Sequence, residues 1–533
     1  HTFSGAALMM TVDAKLFISV PAASIMPPMT RRYHRLAALA LTLALAAGCA
    51  TRSAVATRPA AGDAIVTATI LQMNDVYEIM PLGGSGLGGL ARVAALRKQL
   101  LAENPNTFTV LAGDLLSPSA LSSARAGTGG AALNGEQMVD LMNRVGLDYA
   151  TFGNHEFDLR KPDFDKRMAE SKFTWVSSNV FDEKGVPIPV AKPNVVLTAK
   201  NAAGRTFRIG MFGLTLDSNN APYVSYKDPY ATARAQVAAL KDDADVVIAL
   251  THLAFAQDEQ LADTVPGLSL ILGGHEHLNM TAHRGIGFTP ILKADSNAKS
   301  VYIHRLAYDT ATKTLDVDSD LVELTAAIPE DPEVAAAAAA WRDKGFAAFK
   351  SAGIDPEKTV TTLTEMLDGR EAFIRSGTTN MTAMLNAAML AAFPGAQVSI
   401  FNSGSIRIDD TLGPGPITQY DVLRVLPYPG GLFLTTMKGS VLAKILAAGR
   451  DSSRRGAGAW LQAGGAIQGS DGNWTVGGAA IDLAGDYRVV INDYLLNGNE
   501  RGLEWIKPAD SGITVMPNAP VDFRVAVIRY LQK

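Results

Sequence analysis

The sequence predicts an α/β protein in which two domains are joined by a helix. Between residues 64 and 323, short apolar runs rich in β-branched residues alternate with helical or loop segments, and the runs end in Asp, Asn or His. Buried strands that alternate with helices indicate an open α/β sheet whose strands end at a common edge. An alanine-rich stretch at 329–350 then has the composition of a connecting helix.

The length and composition of the chain support more than one domain. The chain has 533 residues, of which 47% are hydrophobic, so it is too apolar to be disordered and too long for one ordinary core. We predict a first domain at 64–328, a linker helix at 329–355 and a second domain at 356–533. The net charge of −4 argues against nucleic acid as a partner.

Each domain has its own set of predicted elements. In the first domain we predict strands at 67–73, 107–112, 149–152, 245–250 and 268–272. In the second domain we predict a helix at 378–392, strands at 398–401, 432–437 and 487–491, and long Gly-rich loops such as 464–478. The carboxyl ends of the first set of strands are where a site in an open sheet is expected.

Residues that could bind metal follow the predicted strands of the first domain. They are Asp75, Asp114, Asn154, His252, His275 and His277. Carboxylate, amide and imidazole donors together suit a binuclear site for Zn, Mn, Fe or a similar divalent ion. The only cysteine, Cys49, excludes a cysteine-rich zinc site and a cysteine-ligated iron–sulfur cluster. Each residue alone is more typical of a helix cap or a satisfied polar group, so the prediction depends on their combination.

Two short motifs carry a resemblance to a known family. The motifs are GNHEFD at 153–158 and GHEH at 274–277, and both resemble the motifs of calcineurin-like metallophosphoesterases. Over about residues 66–530 the chain further resembles the bacterial 5′-nucleotidase and UDP-sugar hydrolase family. The resemblance implies a metallophosphoesterase sandwich of β-sheets flanked by helices, followed by a C-terminal α/β domain that binds the nucleotide.

The resemblance also implies a role for each residue of the metal site. It implies two divalent metal ions, which could be Zn, Mn, Co or Fe, with Asp114 as the carboxylate that bridges them. Asp75 and His277 would complete one position, and Asn154, His252 and His275 would complete the other. His155 would contact the phosphate and the leaving oxygen, and Asp158 would orient and charge its imidazole.

One residue of the first motif departs from the family pattern. The family usually has Asp-x-His, whereas this chain has Asp75-Val76-Tyr77. Tyr77 is either a packed aromatic, which leaves the first ion one ligand short, or a metal ligand through its phenolate. An ion of higher charge such as Fe(III) would favour the phenolate, and this hypothesis predicts a charge-transfer band in the visible after loading with ferric iron.

The resemblance assigns substrate binding to six residues of the second domain. Arg375, Asn402 and Arg407 would hold phosphate or ribose, and guanidinium groups match phosphate oxygens well. Tyr428 and Tyr494 would stack on the base, and Glu500 would bind the ribose hydroxyls. Surface arginines and packed tyrosines are the alternatives. The segment after Tyr428 lacks the family's base-binding Asn, so base and sugar preference stay open.

The N-terminal segment resembles a bacterial lipoprotein signal. Basic residues precede a short apolar run, and the run ends in Ala46-Ala47-Gly48-Cys49. We predict a signal peptide at 29–48, lipidation of Cys49 and a polar tether at 49–63. Ala50 in place of Asp favours the outer membrane, so we expect an exported, lipid-anchored protein that faces the periplasm.

These inferences predict a metal-dependent phosphoric ester hydrolase. The predicted reaction is removal of phosphate from nucleotides by metal-activated hydroxide, as in a 5′-nucleotidase. UDP-sugar or cyclic-nucleotide phosphodiester hydrolysis at the same site is an alternative, and so is a non-catalytic lipoprotein that binds nucleotides. The chain has neither a P-loop motif nor a Gly-x-Ser-x-Gly motif, which argues against a kinase and against an α/β serine hydrolase.

Overall fold

The N-terminal domain is built on two mixed β-sheets that pack face to face. The computed structural model describes residues 62–533 apart from 84, 126–129, 220 and 509–511. The strands of this domain are β1 Ile65–Met73, β2 Thr107–Ala112, β3 Tyr149–Thr151, β4 Thr174–Val176, β5 Val180–Asp182, β6 Ala191–Lys192, β7 Asn194–Lys200, β8 Thr206–Thr215, β9 Val224–Tyr226, β10 Val246–His252, β11 Leu268–Gly273, β12 Met280–Arg284, β13 Thr289–Lys293, β14 Ser300–Asp309 and β15 Thr314–Glu323.

Each sheet has a run of parallel strands, with antiparallel pairing at the β15-β14-β1 side of the first sheet and at both edges of the second. The first sheet has the order β15-β14-β1-β2-β3-β4-β6, and the second has the order β12-β13-β11-β10-β8-β7. Strands β1 and β2 run parallel, as do β8, β10, β11 and β13. The alternation of strands and helices is confirmed, and so is the sandwich of β-sheets that the family resemblance implies. The strand pattern alone indicated an open sheet and did not reveal that β7 and β8 begin a second sheet.

Helices cover the outer faces of both sheets. They are α1 Leu90–Glu103, α2 Glu136–Val145, α3 Lys161–Glu170, α4 Pro229–Leu240 and α5 Phe255–Thr264, followed by α6 Pro332–Ser351, which leads to the C-terminal domain. Alternation along the strands divides the core: Ile70 faces the opposite sheet, whereas Leu71 packs under the helices. The result is a four-layer α/β/β/α sandwich.

Local signals explain where the helices begin and end. Asp331 caps α6 by accepting from the backbone N–H groups of Glu333 and Val334, and Pro332 occupies the first turn. Gly146 ends α2 in the left-handed region with φ 82°. A 3-10 turn at His155–Asp158 follows β3, and it carries the GNHEFD motif to the end of the strand.

The C-terminal domain has its own mixed sheet. Its strands are β16 Thr359–Leu363, β17 Leu367–Asp368, β18 Val398–Asn402, β19 Thr411–Leu412, β20 Gly415–Thr418, β21 Gly431–Lys438, β22 Leu461–Gly464, β23 Ala466–Gln468, β24 Trp474–Val476, β25 Ala479–Ala480, β26 Asp486–Asn492, β27 Ile513–Val515 and β28 Val521–Asp522. The main sheet has the order β22-β18-β26-β21-β27, and β28 also pairs with β21.

Helices complete the C-terminal domain. They are α7 Glu371–Ile374, α8 Asn380–Ala392, α9 Gln419–Val425, α10 Gly439–Gly449, α11 Asp493–Leu496 and α12 Phe523–Leu531. The prediction of a long loop at 464–478 is wrong, because β23 pairs with β24 in antiparallel fashion within it. Three-residue strands between glycines have too few side chains to give a period-2 signal.

The predicted N-terminal signal and Cys49 lie outside the described residues, as does the tether except for its last two residues. Within the described part of the chain, no helix is long and apolar enough to span a bilayer. Lipid anchoring therefore stays a prediction.

Candidate active site

The two sheets present their parallel strand ends at one site. Asp75 follows β1, Asp114 follows β2 and Asn154 follows β3, while His252 ends β10 in the opposite sheet. His275 and His277 follow β11. Ligand atoms of Asp75, Asp114 and His252 all lie within 4.8 Å of one another, and all three residues are buried. The structure therefore brings together residues that are as far apart in the chain as 75 and 277.

Asp114 lies at the centre of this group. His252 Nε2 is 3.4 Å from Asp114 Oδ2, and the Tyr77 hydroxyl donates a hydrogen bond to the same oxygen at 2.8 Å. The backbone N–H of His155 donates to Asp114 Oδ1 at 2.9 Å. Both oxygens of Asp114 thus face polar partners within the group of candidate ligands.

Tyr77 points its hydroxyl into the ligand group. Its oxygen is 3.0 Å from His277 Nε2 and 3.3 Å from Asp75 Oδ1. Burial, followed by the charge of Asp114, raises the pKa of Tyr77 well above its ordinary value, so the phenol keeps its proton in the absence of a cation. Tyr77 is therefore buried beside the ligands, and coordination by its oxygen stays a prediction.

Two glycines allow the ligand loops to approach each other. A Cβ on Gly153 would lie 2.0 Å from Asp114 Oδ1, and a Cβ on Gly113 would lie 2.5 Å from His252 Nδ1. Neither distance is compatible with a side chain, so the loops after β2 and β3 require glycine at these positions.

Several ligands have an unusual backbone conformation. Asp75, Asp114, His275 and His277 all have positive φ, at 53°, 59°, 98° and 61°. Such conformations cost about 1–3 kcal/mol each for residues other than glycine, and they concentrate at functional sites. The surrounding sheets therefore hold these four residues in backbone conformations that lower the stability of the fold, which is typical of residues kept for function.

Burial and charge set the protonation of the site. Burial disfavours ionisation of Asp114, but the charges of His252 and His155 outweigh it and hold the pKa of Asp114 below its usual range. Burial would lower the pKa of His252, yet Asp114 and Asp75 raise it to about 9. Burial, with the charge of His252, lowers the pKa of His275 to about 3, so its imidazole is neutral, the form that binds metal.

The donor set fits a divalent cation. Within the described part of the chain, the buried Oδ1 of Asn154 and Nε2 of His252 have no hydrogen-bond partner. Buried polar atoms are nearly always partnered, so Asn154 Oδ1 is an acceptor available to a cation. His252 Nε2, 3.4 Å from Asp114 Oδ2, could serve as a ligand once it loses its proton. His252 Nδ1 lies 2.8 Å from the carbonyl of Ala112, which fixes the ring so that Nε2 faces Asp114.

The predicted catalytic pair lies beside this site. His155 Nδ1 is 2.8 Å from Asp158 Oδ2 on one 3-10 turn. Asp158 also accepts hydrogen bonds from Ser117 Oγ at 3.0 Å and from Asn219 Nδ2 at 2.9 Å. Burial would raise the pKa of Asp158, but His155 and Arg407 hold it low, so the carboxylate is charged.

Sequence reasoning missed three of the residues that support this region. Ser117 and Asn219 have no motif of their own and reach Asp158 only through the fold. Glu156, inside the GNHEFD motif, accepts backbone N–H groups from Leu115 at 2.5 Å and Gly153 at 2.5 Å. Burial, followed by the charge of Asp114, raises the pKa of Glu156 to about 7. Its position in the motif was the one available signal.

The C-terminal domain brings two predicted substrate residues to the catalytic pair. Arg407 Nη2 is 2.9 Å from His155 Nδ1 and 3.7 Å from Asp158 Oδ2. The Tyr428 hydroxyl is 3.3 Å from Asp158 Oδ2 and 3.2 Å from Ser117 Oγ. Residues of both domains therefore meet at His155.

The other predicted substrate residues form a group beside Arg407. Arg375 pairs with Glu371, whose carboxylate is also 4.0 Å from Arg407 Nη1. Asn402 Oδ1 accepts from Asn492 Nδ2 at 3.0 Å and from Ser405 Oγ at 2.7 Å, and the buried side chain of Glu500 lies near Asn402. Tyr428 and Tyr494 are 46% and 44% exposed, which leaves ring surface free for stacking.

Comparisons with known proteins agree with this arrangement. Residues 68–279 match the family model of calcineurin-like phosphoesterases, and residues 359–507 match the model of the 5′-nucleotidase C-terminal domain. The fold and site thus define a metal-dependent phosphoester hydrolase. With its two domains in this order, the chain belongs to the 5′-nucleotidase family.

Three known proteins illustrate the relationship. The trifunctional nucleotide phosphoesterase YfkN of Bacillus subtilis is 25% identical over 446 residues, which are 76% of this chain but 29% of that longer protein. Protein UshA of Yersinia enterocolitica is 25% identical over 473 residues, which are 77% of this chain and 80% of UshA. The 5′-nucleotidase precursor of Thermus thermophilus shares the fold, with a TM-score of 0.68 at 23% identity over 87% of this chain and 96% of that one.

Proposed function

We propose that the protein hydrolyses phosphate monoesters of nucleotides. The observation that carries this proposal is the meeting of the two domains at His155, where Arg407 and Tyr428 lie against the catalytic pair. A nucleotide whose base rests on the tyrosines would present its phosphate to the arginine and the imidazole. The relatives named as nucleotide phosphoesterases and 5′-nucleotidases support the same substrate class.

We propose that the site holds two divalent cations, with Zn, Mn, Co and Fe as candidates. The residues that would hold them are Asp75, Tyr77, Asp114, Asn154, His252, His275 and His277. Such a pair of cations supplies an activated water and charge stabilisation for in-line displacement at phosphorus.

His155 is the proposed general acid. Its Nδ1 faces Asp158 at 2.8 Å, so Nε2 is the nitrogen that would donate a proton to the oxygen of the departing nucleoside. Arg407 lies 3.1 Å from the same Nε2 and can bind the phosphoryl oxygens beside it.

Substrate selection is proposed to depend on the C-terminal domain. Tyr428 and Tyr494 would stack on the base, and such stacking contributes about 1–3 kcal/mol per base with little selectivity among bases. Arg375 and Asn402 would hold phosphate or ribose, and Glu500 would bind the ribose hydroxyls.

The cellular location is also a proposal. The predicted signal peptide at 29–48 and the likeness to UshA support an exported protein. We propose that a lipid on Cys49 anchors it at the periplasmic face of the outer membrane. Labelled palmitate should be incorporated into the wild type and not into Cys49→Ser, and equal labelling would exclude this anchor.

Product formation by the metal-stripped protein after metal is added back tests the reaction, measured as inorganic phosphate for monoesters and by chromatography of the nucleotide products for UDP-sugars and cyclic nucleotides. A panel of nucleoside monophosphates, UDP-sugars, cyclic nucleotides and sugar phosphates is offered with added Zn, Mn, Co or Fe. We expect nucleoside monophosphates to be the best substrates. Because His155 acts at the leaving group, His155→Ala should lower kcat about 10²- to 10⁴-fold with a small change in KM. His283→Ala, which removes an exposed histidine on β12, is the matched control.

Each alternative has a distinct outcome in this assay. Faster turnover of UDP-sugars or cyclic nucleotides would favour a phosphodiesterase at the same site. Nucleotide binding without turnover in any metal would favour the non-catalytic lipoprotein. Full activity of His155→Ala would exclude the proposed role of the imidazole.

A further inference from the structure

A carboxylate of the C-terminal domain contacts a histidine of the metal site. Asp409 Oδ2 lies 3.0 Å from Nδ1 of His277, and both side chains are nearly buried, at 13% and 10% exposure. The two residues are separated by more than 130 positions in the chain. No motif in the sequence indicates this contact.

The two nitrogens of His277 face different partners. Nε2 lies 3.3 Å from Asp75 Oδ1 and 3.0 Å from the Tyr77 hydroxyl, so it faces the ligand group. Nδ1 faces Asp409. The 3.0 Å approach is an ion-pair contact, and Nδ1 does not make a hydrogen bond of good geometry there. A carboxylate beside one ring nitrogen favours the tautomer with the proton on that nitrogen, which leaves the other nitrogen to bind metal.

The Asp409 carboxylate is itself held in place. Its Oδ1 accepts the backbone N–H of Glu371 at 2.5 Å, while Oδ2 faces His277. Asp409 has a φ of 37°, in the left-handed region that residues other than glycine rarely adopt. The loop therefore holds this side chain toward the N-terminal domain at a cost in backbone strain.

We propose that Asp409 is a positioning residue for the metal site, supplied by the C-terminal domain. By holding the His277 imidazole, it makes cation binding in the N-terminal domain depend on the docked C-terminal domain. This inference depends on the proposed function, since it takes His277 as a metal ligand. His252 provides the contrast, because a carbonyl of its own domain, that of Ala112, orients its Nδ1.

The position of Asp409 couples the cation to the substrate. Arg407, the proposed phosphate ligand, lies two residues earlier on the same loop and contacts His155. A phosphate held by Arg407 would stabilise the loop that presents Asp409 to His277. Coupling between two binding sites is reciprocal, so nucleotide should tighten cation binding and cation should tighten nucleotide binding by the same factor.

The neighbouring Asp410 supplies a matched control. Its carboxylate also joins the two domains, through an ion pair of 2.9 Å with Lys299, but it pairs with that lysine rather than with the imidazole. Asp410→Ala therefore removes a docking contact of similar size without touching the metal site. Asp409→Ala removes the partner of His277, and Asp409→Asn removes its charge but keeps an acceptor.

Zn²⁺ affinity of the full-length, metal-stripped protein tests the proposal. A chromophoric chelator competes for Zn²⁺ with the wild type and each variant, with and without a nucleoside monophosphate. We expect Asp409→Ala to weaken the more weakly bound Zn²⁺ about 10- to 100-fold, Asp409→Asn to lie between it and the wild type, and Asp410→Ala to match the wild type. We expect the nucleotide to increase the affinity for Zn²⁺ less in Asp409→Ala than in the wild type.

The outcomes separate this inference from the proposed function. If the wild type binds no Zn²⁺, Mn²⁺ or Co²⁺, the proposed function itself fails. If the wild type and Asp409→Ala bind Zn²⁺ equally tightly, only the role of Asp409 fails. Equal weakening in Asp409→Ala and Asp410→Ala would assign the effect to domain docking and would overturn the specific role of Asp409.

Discussion

At the scale of single residues, Tyr77 is the feature that most distinguishes this site. Its phenol donates to Asp114 at 2.8 Å and stands where the family motif usually has a histidine. Coordination by a phenol requires loss of a proton, and the raised pKa of Tyr77 makes that loss costly. A neutral imidazole needs no such step. We therefore expect the two proposed cation positions to differ in affinity.

Replacement of Tyr77 by histidine tests this expectation. Tyr77→His should hold a second Zn²⁺ about tenfold more tightly or better than the wild type, because a neutral donor replaces a protonated phenol. Metal content after desalting, measured by elemental analysis, reports the stoichiometry. Tyr77→Phe, which keeps the ring and adds no donor, should show no gain. Equal Zn²⁺ content in the wild type and Tyr77→His would contradict the prediction.

The residues of the candidate metal site could be singled out from the sequence because each lies at the end of a strand or within a few residues after it. Asp114 and Asn154 stand in short motifs next to the apolar runs that place them, so local pattern was sufficient. Asn219 and Asp409 lie in segments without any such pattern. Asn219 reaches Asp158, and Asp409 reaches His277, only through the packing of distant segments, and that packing leaves no local trace in the sequence.

At the scale of the elements, one buried lysine joins the ends of two strands. Lys293, the last residue of β13, donates to the carbonyls of Leu253 at 2.6 Å and Gly274 at 2.7 Å. It also pairs with Glu276 at 2.6 Å and Asp258 at 2.9 Å. The loops after β10 and β11, the second of which carries His275 and His277, are therefore tied to a third strand.

Removal of this lysine should destabilise the fold strongly. Lys293→Met leaves two carboxylates without their cation, and breaking a buried pair in this way costs about 3–5 kcal/mol. Arg305→Met, which removes an exposed pair with Asp320, should cost at most about 1 kcal/mol. Urea unfolding followed by tryptophan fluorescence gives both values. A similar loss in the two variants would show that the buried pair contributes no more than a surface pair.

Helix and strand positions were easier to predict than their grouping into sheets. The predicted strand at 107–112 coincides with β2, and the predicted helix at 378–392 begins two residues before α8. Nothing in the alternation of strands and helices says how many sheets they form. That number depends on which strand pairs with β8, and the pairing is decided by packing across the core between Ile70 and Met211 and their neighbours.

At the scale of the whole molecule, a polar chain crosses the core between the two sheets. Gln72 of the first sheet donates to the carbonyls of Gly273 and Leu292 in the second, both at 3.0 Å. Its Oε1 is 2.8 Å from His304 Nε2, and His304 Nδ1 is 2.8 Å from Ser319 Oγ. Burial lowers the pKa of His304 to about 3, so the imidazole is neutral in the folded protein.

This histidine predicts a pH dependence of stability. Its pKa is lower in the folded chain than the ordinary value of about 6.5, so the unfolded chain binds the proton more readily. The contribution of the neutral His304 to the free energy of unfolding is fully present above about pH 6.5. It is lost as the pH falls toward 3, by up to about 1.4 kcal/mol per pH unit. The stability difference between the wild type and His304→Gln should therefore shrink between pH 7.5 and 4.5.

Urea unfolding at three pH values measures this difference. His283→Gln is the control, because that exposed histidine meets similar solvent in the folded and unfolded chain. The prediction would be contradicted if the difference in free energy of unfolding between the wild type and His304→Gln stayed constant from pH 7.5 to 4.5.

The origin of the metal ligands in both sheets has a consequence for maturation. Asp75 and His275 are 200 positions apart, and the His275 backbone N–H reaches Asp75 Oδ2 at 2.9 Å only after β1 and β11 have packed. Contacts of such high sequence separation form late. A cation therefore has no assembled ligand set on which to nucleate folding, unlike the ion of a zinc finger. We expect the chain to fold first and to bind metal afterwards. The concentration of metal ions in the compartment to which the protein is exported would then determine what fraction of the folded molecules is active, and it would not change how many molecules fold.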